Sequence, residues 1–359
     1  METEAEKQRI LDIIANITPL DSDAMEQARA RQQVLTKPAG SLGRLEDLAV
    51  QIAGITGQPV PTLERKAVIV MAGDHGVTVE GVSAYPSEVT VQMVYNFLRG
   101  GAAINALARQ TGAQVLIVDV GVAGKIDEPG LVSRKVAPGT ANMASGPAMT
   151  EAQMLAAIQV GIDVLNAQAD QGITLVATGE MGIGNTTASS AITATLLSIE
   201  VARVTGRGTG IDDSQLAHKV QVIERALAIN KPDPSDPLDV LMKVGGLEIA
   251  GLVGIILAAA VRHLPVVIDG FISGAAALVA SELSPLVRHY LIAGHTSVEP
   301  GHQLICQKLG LTPLLNLEMR LGEGTGAVLA MNIIEAALRT HREMATFAEA
   351  GVSTREEQE

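Results

Sequence analysis

A chain of 359 residues with 47% hydrophobic and 18% charged residues is globular and buries a core large enough for one large domain with an appendage, or for two domains. Its net charge of −13 excludes a broad nucleic-acid or anionic-membrane surface, since both need clustered Lys and Arg, so an anionic ligand has to be bound locally. The single Cys306 excludes an intramolecular disulfide and a Cys-rich metal site and fits a reducing cytoplasm; without Trp, the core must be built from Ala, Val, Ile, Leu and Met.

The first residues, METEAEKQRILDII, are charged and amphipathic and lack the cationic start and apolar core of a secretion signal, which again points to the cytoplasm. Residues 1–64 read as helical throughout, over Glu4 to Asn16, Ser22 to Leu35 and Arg44 to Thr56. Turn signals at Thr18-Pro19, Lys37-Pro38 and Gly40 separate them, and Asp21 or Ser22 is placed to cap the second.

From Lys66 the pattern changes to short β-branched runs separated by helical stretches. Six strands are expected, at Ala67 to Met71, Gln114 to Val120, Ile173 to Ala177, Pro265 to Ile268, Tyr290 to Ala293 and Leu314 to Leu317. Most lack polar alternation, as parallel strands covered on both faces do, so the chain predicts an α/β fold of repeated βαβ units. Leu247 to Val261 is apolar but short for a membrane span and carries Glu248 and two glycines, so it reads as a buried helix. A last helix is expected from about Ala327 to Glu343, then a charged tail.

Polar and glycine residues follow each strand: Gly73-Asp74-His75-Gly76, Gly121, the stretch from Gly179, Asp269-Gly270, Gly294-His295-Thr296-Ser297, and Glu318 to Gly326. In open parallel sheets ligands sit outside the carboxyl ends of the strands, so these residues are expected to share one rim. The most informative is GEMGIGNTTAS, Gly179 to Ser189, which reads as strand, glycine turn and helix. Such a turn aims backbone N–H groups outward at a helix N-terminus, where a phosphate is stabilised by hydrogen bonds and the helix dipole. An isolated G-x-G is more often a bare connection. Here two glycines, Asn185, Thr186 and Thr187 all favour an anion site. A Walker loop is excluded by the missing G-x-x-x-x-G-K-S/T spacing. A second glycine-rich loop, Gly206 to Asp213, precedes a helix carrying Lys219 and offers a weaker phosphate or ribose contact.

For metals, Asp74 and His75 are adjacent and read as a turn, His295 and His302 are scattered, and no H-E-x-x-H spacing occurs. No G-x-S-x-G elbow supports a nucleophilic triad. Two carboxylates stand out: Glu180 within the glycine turn and Glu323 between glycines in RLGEGTG, each on the same expected rim. Either is a possible general base, and either is equally well read as the cap of its following helix.

KPAGSLGRLE (37–46), AGDHGV (72–77), GVSAYPSEVTVQM (81–93), GEMGIGNTTAS (179–189), GRGTGIDD (206–213), DGFISGAAAL (269–278), GHTSVEPGHQ (294–303) and RLGEGTGA (320–327) together resemble the nicotinate-nucleotide:dimethylbenzimidazole phosphoribosyltransferase family of cobalamin biosynthesis, in order and over nearly the whole chain. The resemblance implies transfer of 5-phosphoribosyl from nicotinate mononucleotide to 5,6-dimethylbenzimidazole with inversion, releasing nicotinate and giving α-ribazole 5′-phosphate. No metal or cofactor is implied, because the pyridine nitrogen leaves as a neutral ring atom without a general acid. By the same resemblance Glu323 is the base that deprotonates the azole, and Glu180 supports it. Gly182, Gly184, Asn185, Thr186, Gly206, Gly208, Thr209 and Lys219 would hold phosphate and ribose, and Ser83, Tyr85, Gln92 and Leu321 the benzimidazole. The implied fold is a Rossmann-like six-stranded parallel sheet flanked by helices in a large domain, 65–326, with a small helical domain from 1–64 and about 327–359, assembled as a homodimer. A nicotinamide-dependent oxidoreductase would carry G-x-G-x-x-G after the first strand, where AGDHG stands instead. A non-catalytic mononucleotide sensor of the same fold would bind the donor yet need no carboxylate.

Overall fold

The computed structural model describes residues 2–353. Three helices come first, α1 (Glu2–Ala15), α2 (Ser22–Val34) and α3 (Arg44–Thr56). Asp21 caps α2 by accepting from the Ala24 N–H at 2.9 Å, and α3 stops at Gly57, whose φ of 66° terminates it in the left-handed region. Strand β1 (Lys66–Gly73) follows, then α4 (Glu88–Leu98), α5 (Ala103–Thr111), β2 (Ala113–Gly121), β3 (Leu131–Ser133), α6 (Glu151–Asp170) and β4 (Leu175–Met181). The second half holds α7 (Asn185–Leu197), α8 (Val201–Val204), α9 (Asp213–Asn230), α10 (Pro237–Val244), α11 (Leu247–Val261), β5 (Val266–Ile268), α12 (Phe271–Leu283), β6 (Leu291–Ala293), α13 (Pro300–Leu309), α14 (Thr325–Glu343) and α15 (Phe347–Ala350).

All six strands are parallel, in the order β3-β2-β1-β4-β5-β6. Connections that leave β1 in one direction and return to β4 in the other open a crevice between these two strands at their carboxyl ends. The sheet is covered on both faces. Ala67, Ile69 and Met71 of β1 pack into one core, with α6, α7, α11 and α12, while Val68, Val70 and Ala72 pack into a second, with α3, α5 and α14. Period-two alternation therefore persists in which core each residue joins, although every residue is apolar.

Helix α11 is buried along its length apart from its last residue, and it lies against α6 closely enough that a Cβ on Gly161 would overlap the Gly251 carbonyl oxygen, and one on Gly254 that of Ile158. Glycine is required there by backbone-to-backbone contact. The N-terminal helices are tied to the end of α14: Arg31 donates to the carbonyls of His341, Arg342 and Met344, and Leu35 pairs with Thr346. No helix among the described residues is long and apolar enough to cross a membrane.

The strand count of six agrees with expectation, but its membership differs. Leu314 to Leu317 is not a strand: its amides reach Ala293 and Gly294, yet only Leu315 forms an isolated bridge, to His295. The place is taken by β3, an edge strand of three residues that are half-buried or exposed, too short and too polar in its flanks to stand out in the sequence. The third strand starts two residues later than expected and runs on through Glu180 to Met181, so the glycine turn proper is Gly182 to Gly184.

Candidate active site

A cavity of about 890 Å³ opens at the carboxyl ends of β4, β5 and β6. Its floor is the β4–α7 turn. Gly184 takes a φ of 95° and begins α7 without any side-chain cap, so Asn185, Thr186 and Thr187 form the first turn of the helix itself. A Cβ on Gly182 would overlap the Gly73 carbonyl oxygen, and one on Gly184 would lie 2.9 Å from Thr78 Cγ2, so the turn is seated tightly on the β1 loop. Beneath it, His75 Nε2 and Glu248 Oε1 lie 2.6 Å apart with both side chains out of solvent. Burial disfavours the imidazolium, but the charge and hydrogen bond of Glu248, with help from Asp74, raise the His75 pKa overall.

One wall comes from the second glycine-rich loop. Asp212 caps α9, accepting from the Gln215 N–H at 2.8 Å, and α9 carries Lys219 inward. Lys219 Nζ donates to Thr186 Oγ1 at 2.9 Å and to the Gly206 carbonyl at 3.3 Å, so it braces the turn from behind. Burial pulls its pKa down to about 8, opposed by Glu299. The loop is also stitched to its neighbours: Gly208 N–H donates to Glu299 Oε1 at 2.9 Å, Arg320 Nη1 to the Gly208 carbonyl at 3.1 Å, and Ala84 N–H to Thr209 Oγ1 at 3.0 Å.

Much of the remaining lining is apolar, with Val82, Tyr85, Val89 and Met93 before and on α4, and Met319 and Leu321 ahead of α14. Glu180 and Glu323 also line the cavity. Glu180 accepts from Asn185 Nδ2, and burial, then Glu248 and Asp269, push its pKa up to about 8. Glu323 is pushed up to about 7, first by burial and further by Asp269, against the backbone N–H of Ile104 at the start of α5, and its Oε2 has no partner. Neither carboxylate caps its own helix. For α14 that task falls to Asp269, past β5, which accepts from Gly326 N–H at 2.7 Å and Ala327 N–H at 2.9 Å.

Of the residues singled out by sequence, the cavity brings together Glu180, Glu323, Gly182, Gly184, Asn185, Thr186, Gly208, Thr209, Ser83, Tyr85 and Leu321. Gly206 and Lys219 lie one layer behind, and Gln92 is exposed and outside the cavity wall. On α4, Val89 and Met93, four apart, share the inward face that Gln92 leaves. Sequence reasoning gave no role to Asp269, His295, Ser297 and Glu299, which line the cavity, or to the His75–Glu248 pair. The rim position of Asp269 and His295, and a lone charge at Glu248 in an apolar helix, were the available signals. Among the described residues, no group of three or more His, Cys, Asp or Glu is disposed to hold a metal ion.

A family model described as Phosphoribosyltransferase matches residues 17–352. A nicotinate-nucleotide–dimethylbenzimidazole phosphoribosyltransferase of Chloroflexus aggregans is 62% identical over 345 residues, covering 96% of this chain and 98% of its own. The chain belongs to the nicotinate-nucleotide–dimethylbenzimidazole phosphoribosyltransferase family. The Geobacter sulfurreducens protein of the same name is 59% identical over 345 residues, covering 96% of this chain and 98% of its own. The crystal structure of the phosphoribosyltransferase of that name from Thermus thermophilus superposes with a TM-score of 0.89 at 50% identity, covering 94% of this chain and all of that one. The enzyme thus shares both sequence and the six-stranded parallel α/β architecture with its relatives.

Proposed function

We propose that this phosphoribosyltransferase moves the 5-phosphoribosyl group from nicotinate mononucleotide to 5,6-dimethylbenzimidazole, with inversion at the anomeric carbon and Glu323 as general base. The observation that carries the reading is Glu323 itself: a buried carboxylate with a free Oε2 and a pKa raised to about 7, lining a cavity that also holds a helix N-terminus without a side-chain cap. A base works best when its pKa lies near the operating pH.

The geometry supports a division of labour. The donor phosphate lies against Gly182, Gly184, Asn185 and Thr186, with Gly208 and Thr209 beside it and Lys219 supplying positive charge from behind. The benzimidazole, flat and apolar, lies against Tyr85, Met93 and Leu321 with Ser83 at its edge, while Gln92, exposed and outside the cavity wall, takes no part in this slot. As the azole nitrogen attacks, the bond from the anomeric carbon to the pyridinium nitrogen breaks and its electron pair returns to the ring, so nicotinate leaves without a proton. The attacking ring would become cationic, and its remaining N–H passes its proton to Glu323. Glu180, neutral at pH 7 with a pKa of about 8, supports the site by holding Asn185 at the start of α7.

The enzyme is read as a cytoplasmic homodimer with the chain ends, 1–64 and about 327–359, forming a helical unit beside the 65–326 catalytic unit. Exposed apolar side chains near the cavity mouth, Tyr85, Val298 and Leu321, support the homodimer, and the Arg31 bonds to the end of α14 support the helical unit. Incubation with nicotinate mononucleotide and 5,6-dimethylbenzimidazole, with the product followed by mass and its anomeric configuration by NMR, tests the reaction. The α-anomer is expected. A β-linked product contradicts inversion, and binding of the mononucleotide with no product from any azole brings the sensor reading forward.

A further inference from the structure

Glu323 stands on an unusual backbone. Gly322, Glu323 and Gly324 have φ values of 83°, 63° and 88°, three consecutive left-handed residues, a conformation that is strained at the glutamate because it carries a Cβ. The surrounding structure has to hold it. Within the turn, the Thr325 N–H and Oγ1 both donate to the Gly322 carbonyl, at 3.0 and 2.8 Å. Behind it, a Cβ on Gly179 of β4 would lie 2.6 Å from the Glu323 carbonyl oxygen, so the strand presses directly on the turn.

The remaining hold comes from Asp269, whose side chain is almost wholly buried. Its Oδ1 accepts from the Gly326 and Ala327 N–H groups, and Oδ2 faces the Gly324 N–H at 3.3 Å. The cap residue of α14, Gly324, has no side chain to do this, so a carboxylate 55 residues earlier in the chain takes the task. The Oε2 of Glu323 has no hydrogen-bond partner and the Ile104 N–H meets the other carboxyl oxygen, so the aim of the carboxylate is set by its left-handed backbone together with that one bond.

We propose that Asp269 is a positioning residue for transfer: by capping α14 from β5 it fixes the left-handed Gly322–Glu323–Gly324 turn and hence the aim of the Glu323 carboxylate at the acceptor. The inference rests on Glu323 being the base. Asp269 is neither the proton acceptor nor a phosphate ligand. Its effect belongs in kcat, through Glu323.

The test measures kcat and both KM values for wild type, Asp269→Asn, Asp269→Ala, Glu323→Gln and the Asp269→Asn/Glu323→Gln double variant, with rates counted per folded molecule. Asparagine keeps one acceptor oxygen and the shape, so kcat is expected to fall in the order Asp, Asn, Ala, by about tenfold or more for Asn, with each KM within about threefold. On the Glu323→Gln background, Asp269→Asn is expected to remove less than about a further twofold. Undiminished kcat in Asp269→Asn, a change confined to KM, or losses that multiply in the double variant would each overturn the proposal. Full turnover in Glu323→Gln would instead overturn the base assignment, whatever Asp269→Asn does. Should neither Asp269 variant fold, Gly179→Ala pushes on the same turn from the β4 side, and the same kcat-only, Glu323-dependent loss is expected; its absence then overturns the proposal.

Discussion

Two helix N-termini meet in the cavity, and they are built alike up to the last step. Both α7 and α14 follow a glycine turn, and both begin at a left-handed glycine, Gly184 with φ 95° and Gly324 with φ 88°, that has no side chain to cap the helix. They then part. The first amides of α14 are occupied by the Asp269 carboxylate, whereas among the described residues no carboxylate accepts from those of α7. A helix terminus already holding a protein anion is structural, and its loop can carry a base. One left without an anion, with a lysine behind it, is suited to a phosphate.

The largest effect that tests this contrast is expected at Glu323. Glu323→Gln should lower kcat by about 10² to 10⁴-fold while mononucleotide binding, read by calorimetry, is retained, because the lost group acts only on the azole proton. The α7 terminus should show the reverse pattern. Lys219→Met removes the charge that braces Thr186 and Gly206, and a rise of about tenfold or more in the KM for the mononucleotide is expected, with kcat little changed.

The acid limb of the kcat profile gives a further separation. Glu323 has to be ionised to accept the proton, so kcat is expected to fall as pH drops below about 7, and this limb should vanish in Glu323→Gln. Stability should run the other way. A carboxyl whose folded pKa of about 7 lies above its unfolded value of 4.5 destabilises the fold progressively as pH rises between those two values. Glu323→Gln should therefore gain stability over wild type by up to about 3 kcal/mol at pH 9 and nothing at pH 4, read by denaturant unfolding at both. The smallest effect is expected at Tyr85. Its side chain is 55% exposed, and Tyr85→Ala should cost about 1 kcal/mol or less in azole KM.

The N-terminal helices, α7, α9, α11, α14 and most strands were legible because their residues carry the periodicity, the glycine turn or the apolar run that burial on both sheet faces requires. Leu247 to Val261 is the clearest case, a buried helix with the bounds the sequence suggested. The edge of the sheet was not. Leu314 to Leu317 has strand-like composition but lies where only Leu315 finds a pairing partner, while β3 succeeds with three residues because β2 offers it Ile117 to Asp119. Pairing is a property of two segments, and one of them was invisible locally. In the site, the glycine turns and Glu180 and Glu323 announced themselves by local pattern. Asp269 acts on amides 55 to 58 residues away and the His75–Glu248 pair spans 173, separations that no local spacing encodes.

The most direct measurement pairs mononucleotide affinity with turnover in wild type and Glu323→Gln, using nicotinate mononucleotide and 5,6-dimethylbenzimidazole at pH 8, where the Glu323 carboxyl, with its pKa of about 7, is mostly ionised. Wild type is expected to give α-ribazole 5′-phosphate, and the variant to keep mononucleotide affinity within about twofold of wild type with turnover reduced by about 10²-fold or more. A variant that turns over normally, or one that loses the mononucleotide together with its turnover, would contradict Glu323 as the general base.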